Sequence, residues 1–167
     1  MSLQYKEIQE EDIPSLTDVM KRAFDHDTQI HLGVNQGGPD GYDNGEFFRK
    51  WLFSYDESQG YKILLNGKVV GGFIVWILES RANRLGTIFV DPDHQDQGIG
   101  TQAWRFIEAS YPDTLSWELG TPDWAVKNHY YYEQKCGFEK MREVPEEDRD
   151  GVSFIYQKRM DNKPSNL

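Results

Sequence analysis

The sequence predicts a single mixed α/β (α+β) domain, with a mostly antiparallel sheet of six to seven strands flanked by about four helices. Three observations carry this. Asn66-Gly67 separates two apolar runs, Tyr61 to Leu65 and Lys68 to Leu78, and such a pair is the strongest short signal of a β-hairpin. Segments of helical periodicity fall between strand-like runs without alternating one for one, which argues against a doubly wound parallel sheet. The chain has 167 residues, enough for one domain with its own core and short of two.

In chain order, Leu3 to Ile8 alternates weakly and reads as a first strand. Asp12 with Pro14 just inside marks a helix start, and Ile13, Leu16, Met20, Ala23 and Phe24 recur at helical spacing. His26 to Gly45 is glycine-rich and reads as a long loop, a length that is usually functional or disordered. Glu46 to Phe53 reads as a short second helix. The hairpin follows, and Arg84 to Val90 completes a three-stranded meander that ends at Asp91-Pro92. A helix from Gly98 to Ser110 buries Ile99, Ala103, Phe106 and Ile107. Thr114 to Leu119 is a strand and Trp124 to Lys135 a helix. Phe138 to Glu143 and Val152 to Met160 close the sheet around the charged loop PEEDRDG. Residues 1–160 thus form the domain, and 161–167 read as a polar, frayed tail.

Composition narrows the function. Twenty-eight Asp and Glu against 18 Lys and Arg give a net charge of -10. That disfavours a nucleic-acid partner and mildly favours a cationic substrate, although acidity for solubility alone accounts for the same charge. No apolar run is long enough to span a membrane, and MSLQYKEIQE lacks the regions of a signal peptide. Cys136 is the lone cysteine, so no intrachain disulfide can form and a structural cysteine–zinc site is not expected. A cytoplasmic location is the expectation. His26 and His129 lack partners at metal spacing and His94 reads as a surface turn residue, so no metal is expected.

The stretch DPDHQDQGIGTQAW, Asp91 to Trp104, carries the chemistry. A strand runs out at Val90, the chain turns at Pro92, and a helix begins near Gly98. Its first turn has unpaired N–H groups and the positive end of the helix dipole. Glycines at 98 and 100 leave room for a ligand to reach that backbone, the physics of a phosphate cradle, although glycines there can equally serve tight helix packing. Neither a Rossmann fingerprint nor a Walker loop is present.

Val-x-Pro-x-x-Gln-x-x-Gly-x-Gly, Val90 to Gly100, resembles the acyl-CoA-binding motif of the GNAT N-acetyltransferase family. NHYYYEQKCGF, Asn128 to Phe138, is similar to that family's later motif, and the order of elements matches from Leu3 to Met160. The resemblance implies a sheet splayed between its fourth and fifth strands, with the pantetheine of acetyl-CoA in the gap, bonded to backbone at Phe89 and Val90. It implies a pyrophosphate on the N–H groups of Gln95, Asp96, Gln97, Gly98, Ile99, Gly100 and Thr101, with Asn128 steadying the CoA arm. A tyrosine of the second motif would protonate the departing thiolate. The amine would attack the thioester directly, with no acyl-enzyme, and Cys136 reads as core packing.

Two departures stand out. Asp96 puts a carboxylate in the cradle, so it must either cap the helix as an acceptor, the simpler account, or point to solvent. Four residues, one more than the family's usual spacing, separate Tyr132 from Gly137. Either the helix end absorbs the extra residue and Tyr132 is the acid, or the register shifts and Tyr131 takes the role; Tyr130 reads as core. For the general base the candidates are Glu118, beside Trp117, then Glu79 and His31.

The segment expected to roof the acceptor site carries Asp25, Asp27, Asp40, Asp43 and Glu46, with no Lys or Arg between Arg22 and Arg49. It suits a cationic amine of a small molecule or peptide, and a solvated acidic loop explains it equally well. Tyr42 and its neighbours Phe47, Phe48 and Trp51 are able to line a pocket, with core packing favoured for the last three. Two functions follow: an acetyl-CoA-dependent N-acetyltransferase, monomeric or homodimeric, or a non-catalytic acyl-CoA-binding module.

Overall fold

The computed structural model describes residues 2–146 and 151–160, so the middle of the PEEDRDG loop and the expected polar tail lie outside the described residues. The elements are β1 (Leu3–Glu7), α1 (Ile13–Leu32), α2 (Glu46–Phe48, continued as a π-turn Arg49–Phe53), β2 (Ser58–Leu65), β3 (Lys68–Trp76) and β4 (Ala82–Val90). They are followed by α3 (Ile99–Ser110), β5 (Ser116–Pro122), α4 (Val126–Tyr130, continued as a π-turn Tyr131–Cys136), β6 (Glu139–Pro145) and β7 (Val152–Arg159). The seven strands form one sheet in the order β1-β2-β3-β4-β5-β7-β6.

The hairpin forms where the sequence places it. Asn66 and Gly67 adopt φ of 52° and 84°, the two positive values that a type I′ turn needs. Strand β3 is buried on both faces, because helices pack on each side of the sheet. On one side α3 and the α4 segment contribute Ile99, Ala103, Trp104, Ile107, Tyr132 and Cys136 to a core with Phe73, Val75 and Trp117. On the other, α1 and α2 bring Leu16, Met20 and Phe48 onto Ile74 and Phe89.

Helix α1 runs seven residues past Asp25, through most of what reads as the start of a loop. The apolar pattern fails there because the buried position is taken by Thr28, whose hydroxyl donates back to the carbonyls of Phe24 and Asp25, while Ile30 and Leu32 are exposed. Gly33, at φ 69°, ends the helix with its N–H on the carbonyls of Gln29 and Thr28. Two smaller corrections concern tyrosine and turn chemistry. Tyr130 is exposed rather than core. Asp12 caps the short 3₁₀ turn Glu10–Asp12, accepting from the Gln9 N–H, rather than α1 itself.

The sheet opens in the middle. Parallel strands β4 and β5 pair only over Ala82–Arg84 and Ser116–Glu118. At this closed end Asn83 is buried, accepting from the Leu78 N–H and donating to the Thr114 hydroxyl. Past it, Gly86 is an extra residue in β4: Leu85 faces Val75 and Thr87 faces Ile74, with nothing opposite Gly86. That bulge turns β4 toward β3 while β5 stays paired to β7 as far as Pro122. A V-shaped gap is the result.

Asp91, at the open end of β4, ties the sheet to α1. Its buried carboxylate accepts two bonds from the Arg22 guanidinium, at 2.7 and 2.9 Å, and caps the following turn through the Asp93 N–H. Burial alone would raise the Asp91 carboxyl, but the hydrogen bonds from Arg22 and the Asp93 N–H outweigh it and hold the group below its ordinary value. The contribution of the pair is therefore present above pH 3.8, the unfolded value, and is lost as pH falls through the lower folded value. Arg22→Ala is expected to cost about 2 kcal/mol by denaturant titration, less than for a wholly buried pair because the guanidinium is part-exposed. An equal midpoint for variant and parent would show the pair to be neutral.

Candidate active site

The cradle forms at the open end of the gap. After a 3₁₀ turn (Pro92–His94) the chain passes through Asp96 at φ 61° and Gly98 at φ 80°, and α3 starts at Ile99 with no side-chain cap. The N–H groups of Ile99, Gly100 and Thr101 precede the first intrahelical bond, which runs from Gln102 N–H to the Gly98 carbonyl. They form an unpaired, positively polarised cluster facing outward.

The two glycines serve different ends. A Cβ on Gly98 would meet nothing within 4 Å, so this glycine supplies the left-handed turn and leaves open space before the helix. A Cβ on Gly100 would press on the Tyr131 ring at 3.3 Å, and the Tyr131 hydroxyl donates to the Gly100 carbonyl at 2.7 Å. Gly100 therefore serves helix packing.

Asp96 does not cap α3. Its side chain is 84% exposed and stands 3.9 Å from Lys127 Nζ. The same ammonium donates to Gln95 Oε1 at 2.7 Å, while Gln95 Nε2 donates to the Val90 carbonyl at 3.1 Å. Lys127 thus reaches from α4 across the mouth of the gap and offsets the negative charge of Asp96 where an anion would sit.

Of the two strand residues expected to offer backbone, Val90 faces the gap and Phe89 does not. The Asp91 N–H donates to Val70, so odd positions near this end point at β3, and the Phe89 carbonyl lies against Gly71. Strand alternation puts Ile88 in its place. Ile88 and Thr87 line the gap, opposite Gly120, Thr121, Pro122 and Asn128. Asn128 donates to the Thr121 hydroxyl at 3.3 Å, which fixes it at the end of β5.

The extra residue in the second motif is absorbed by the π-turn. Gly137 N–H reaches back to the Tyr132 carbonyl, five residues away, so Gly137 still caps the helix at φ 82° and Phe138 still enters the core. Tyr131 consequently points at α3, and Tyr132 lines the gap. Burial raises the Tyr132 phenol well above its ordinary value, helped by Cys136 and Asp27, so it stays protonated at neutral pH. Burial also pushes the Cys136 thiol up to about 12, which suits packing rather than attack.

Of the three expected bases, His31 stands near the gap, whereas Glu118 and Glu79 are not among its lining residues. The Glu118 carboxylate accepts from Arg84 at 2.9 Å and Arg142 at 3.4 Å, pinned at the closed end of the gap and not among its lining residues. Glu79 is exposed in the turn after β3. His31 sits at the end of α1 with its ring centroid 6.1 Å from that of Trp124. The acidic segment is also divided by the fold. Asp25 is internal, accepting from the Tyr42 hydroxyl, the Gly37 N–H and Lys21. Asp40 and Asp43 are exposed, and Glu46 pairs with Arg49.

Asp27 alone of the five lines the gap, together with Tyr132. Burial holds its carboxyl above the ordinary value, against the pull of Lys127, His31 and His26. In the sequence it is one acid among several, because its side-chain direction depends on α1 continuing past Asp25. The site therefore combines the uncapped N–H groups of a helix start, a strand edge whose Val90 carbonyl is bonded to Gln95, a neutral buried phenol and a desolvated carboxyl. That set is able to hold an extended ligand with an anionic end and to move protons at the other.

Comparison with known proteins agrees with this geometry. The Acetyltransferase (GNAT) family model matches residues 18–138. An uncharacterized Bacillus subtilis protein, YrkN, is 37% identical over 130 residues, covering 77% of this chain and 69% of that protein. Among solved structures, the fold is similar to the Escherichia coli ribosomal-protein-S18-alanine N-acetyltransferase, with TM-score 0.73, 17% identity and 99% of each chain covered. It is similar also to the PaiA N-acetyltransferase of Thermoplasma acidophilum in complex with coenzyme A, with TM-score 0.70, 17% identity and 95% and 99% covered. A Vibrio cholerae spermidine N-acetyltransferase chimera gives TM-score 0.71 at 16% identity, with 96% of each chain covered. With the gap, the cradle and the paired motifs all in place, this chain belongs to the GNAT acetyltransferase family.

Proposed function

We propose that this protein is an N-acetyltransferase that moves an acetyl group from acetyl-CoA to a primary amine by direct attack. The observation that carries the proposal is the gap between β4 and β5, which has free α3 N–H groups at its mouth and Tyr132 and Asp27 inside. The N–H groups of Ile99, Gly100 and Thr101 would take the pyrophosphate, with Lys127 adding charge. Ile88 and Val90 would offer backbone to the pantetheine, as a strand does to a neighbour. Asn128 would steady the same arm from the β5 side.

In this reading Asp27, not Glu118, accepts the proton of the incoming ammonium, directly or through one water. The freed amine nitrogen forms its bond to the thioester carbonyl carbon. As the C–S bond breaks, Tyr132 gives its proton to the leaving sulfur; the nitrogen loses its remaining extra proton as the amide forms, which restores the phenol by way of solvent, and Asp27 returns its proton to solvent. Burial keeps the Tyr132 phenol protonated, so its proton is in place as the thiolate develops, although the same burial makes it a weaker acid than a free phenol. The closed end of the gap is held by the buried bond from Asn83 to Thr114.

Thiol release from acetyl-CoA, followed against a panel of primary amines, tests the proposal. Binding of acetyl-CoA without turnover of any amine would leave a non-catalytic acyl-CoA module. Tyr132→Phe is expected to lower turnover by roughly ten- to a thousandfold with little change in acetyl-CoA affinity. Tyr131→Phe is expected to cost about 1 kcal/mol of stability through its lost bond to Gly100 and to change turnover little. The reverse ordering of the two variants would move the acid to Tyr131.

A further inference from the structure

We propose that the acceptor is an amine carried on a flat apolar group, and that this group lodges in a side pocket walled by Phe47, Trp51 and Trp76. The proposal rests on the transferase reading above and names its substrate class. The pocket measures about 240 Å³ and is completed by Pro39, Ile74 and Gly86. Pro39, Phe47 and Gly86 also line the gap that holds Asp27 and Tyr132, so the two spaces adjoin across these three residues.

Gly86 forms the neck. It is the bulge residue of β4, and a Cβ there would stand 3.3 Å from the Ile74 carbonyl oxygen and 3.6 Å from the Trp76 ring. Its missing side chain leaves the passage from the reacting centre to the aromatic walls open. The rings of Trp51 and Trp76 stand 5.6 Å apart at 50°, and the space exceeds the roughly 150 Å³ of an apolar cavity that takes up benzene. A ring-bearing chain fits there by size and chemistry.

Charge separates this class from a polyamine. No carboxylate lines the side pocket. Cations already sit on both tryptophans: Lys50 Nζ lies 4.6 Å from the Trp51 ring centroid, and the Arg84 guanidinium, its charge largely offset by Glu118, 5.9 Å from that of Trp76. An ammonium entering the side pocket would meet the Lys50 charge and no carboxylate, whereas one in the gap finds Asp27 and Glu146 among the lining residues. The site thus confines positive charge to the gap and takes an uncharged body in the side pocket.

The test compares 2-phenylethylamine with spermidine on the full chain saturated with CoA. Calorimetry reads binding without turnover, and thiol release from acetyl-CoA reads turnover. The dissociation constant for 2-phenylethylamine is expected to be at least tenfold below that for spermidine, and to rise about tenfold in Trp51→Ala. The side chain of Trp51 is partly exposed and its bonds to Ser58 and Trp76 run through its carbonyl, so the variant keeps them. Gly86→Ala narrows the neck independently and is expected to shift the constant the same way. Equal or tighter binding of spermidine, or a constant unmoved by both substitutions, would overturn the pocket. The expected binding pattern with no thiol release for any amine would keep the pocket and remove the transferase reading instead.

Discussion

Asp27→Asn is expected to lower turnover by roughly a hundredfold or more, within the range for losing a general base, and at the same time to raise the melting temperature. Both effects follow from one feature of the fold. Helix α1 carries Asp27 into the gap, where burial holds the carboxyl above its ordinary value of 3.8. The folded state therefore favours the protonated form. As pH rises from 3.8 through the raised folded value, ionisation of Asp27 lowers stability, and above that value the cost is fully present. Asparagine keeps the shape and removes the charge, so the cost disappears along with the base. Steady-state rates and thermal melts at neutral pH check the pair of effects. Turnover within threefold of the parent would remove Asp27 from the proton path, and a lower melting temperature would show that its charge is stabilising.

Gly98→Val is expected to abolish acetyl-CoA binding. In the parent, a hundredfold excess of ligand over its dissociation constant should stabilise the fold by about 2.7 kcal/mol, which a thermal shift reads. The valine would fill the open space in front of α3, and it would also strain a backbone at φ 80°. The two consequences separate through a control. Gly67 in the β2–β3 hairpin has φ 84° and equally open surroundings, so Gly67→Val meets the same conformational penalty away from the cradle. Both variants should lose about 1–2 kcal/mol of intrinsic stability, but only the Gly98 variant should lose the shift on adding acetyl-CoA. A normal shift in Gly98→Val would move the pyrophosphate away from this loop.

The parts legible in the sequence are those encoded by local rules. Asn66-Gly67 announces its own turn, and the run from Val90 to Gly100 announces a strand, a turn and a helix start. The rest depends on side-chain direction over longer distances. The C-terminal half of α1 hides because Thr28 fills its buried position, and Asp27 is hidden with it. The π-turn at Tyr131–Cys136 is invisible to a 3.6-residue period, although the one-residue excess between Tyr132 and Gly137 is its signature. Phe89 turns its backbone to β3 and Ile88 turns its own away, because strand alternation, fixed by the Asp91–Val70 bond, decides which backbone faces the gap. The pairing of Glu118 with Arg84 and Arg142 is hidden because the two arginines come from β4 and β6, distant in the chain. The bulge at Gly86, which opens both the gap and the side pocket, has no local marker beyond a glycine in a strand.

The central claim is that acetyl-CoA lies between β4 and β5 with its pyrophosphate on the start of α3. Backbone amide chemical shifts, followed residue by residue as acetyl-CoA is added to the isotope-labelled protein, test it most directly. The largest shifts are predicted at Gln97 to Thr101 and at Ile88 and Val90, with the Asn66-Gly67 hairpin unmoved. Saturation with acetyl-CoA that leaves those amides unchanged, or moves only residues outside the gap, would contradict the account.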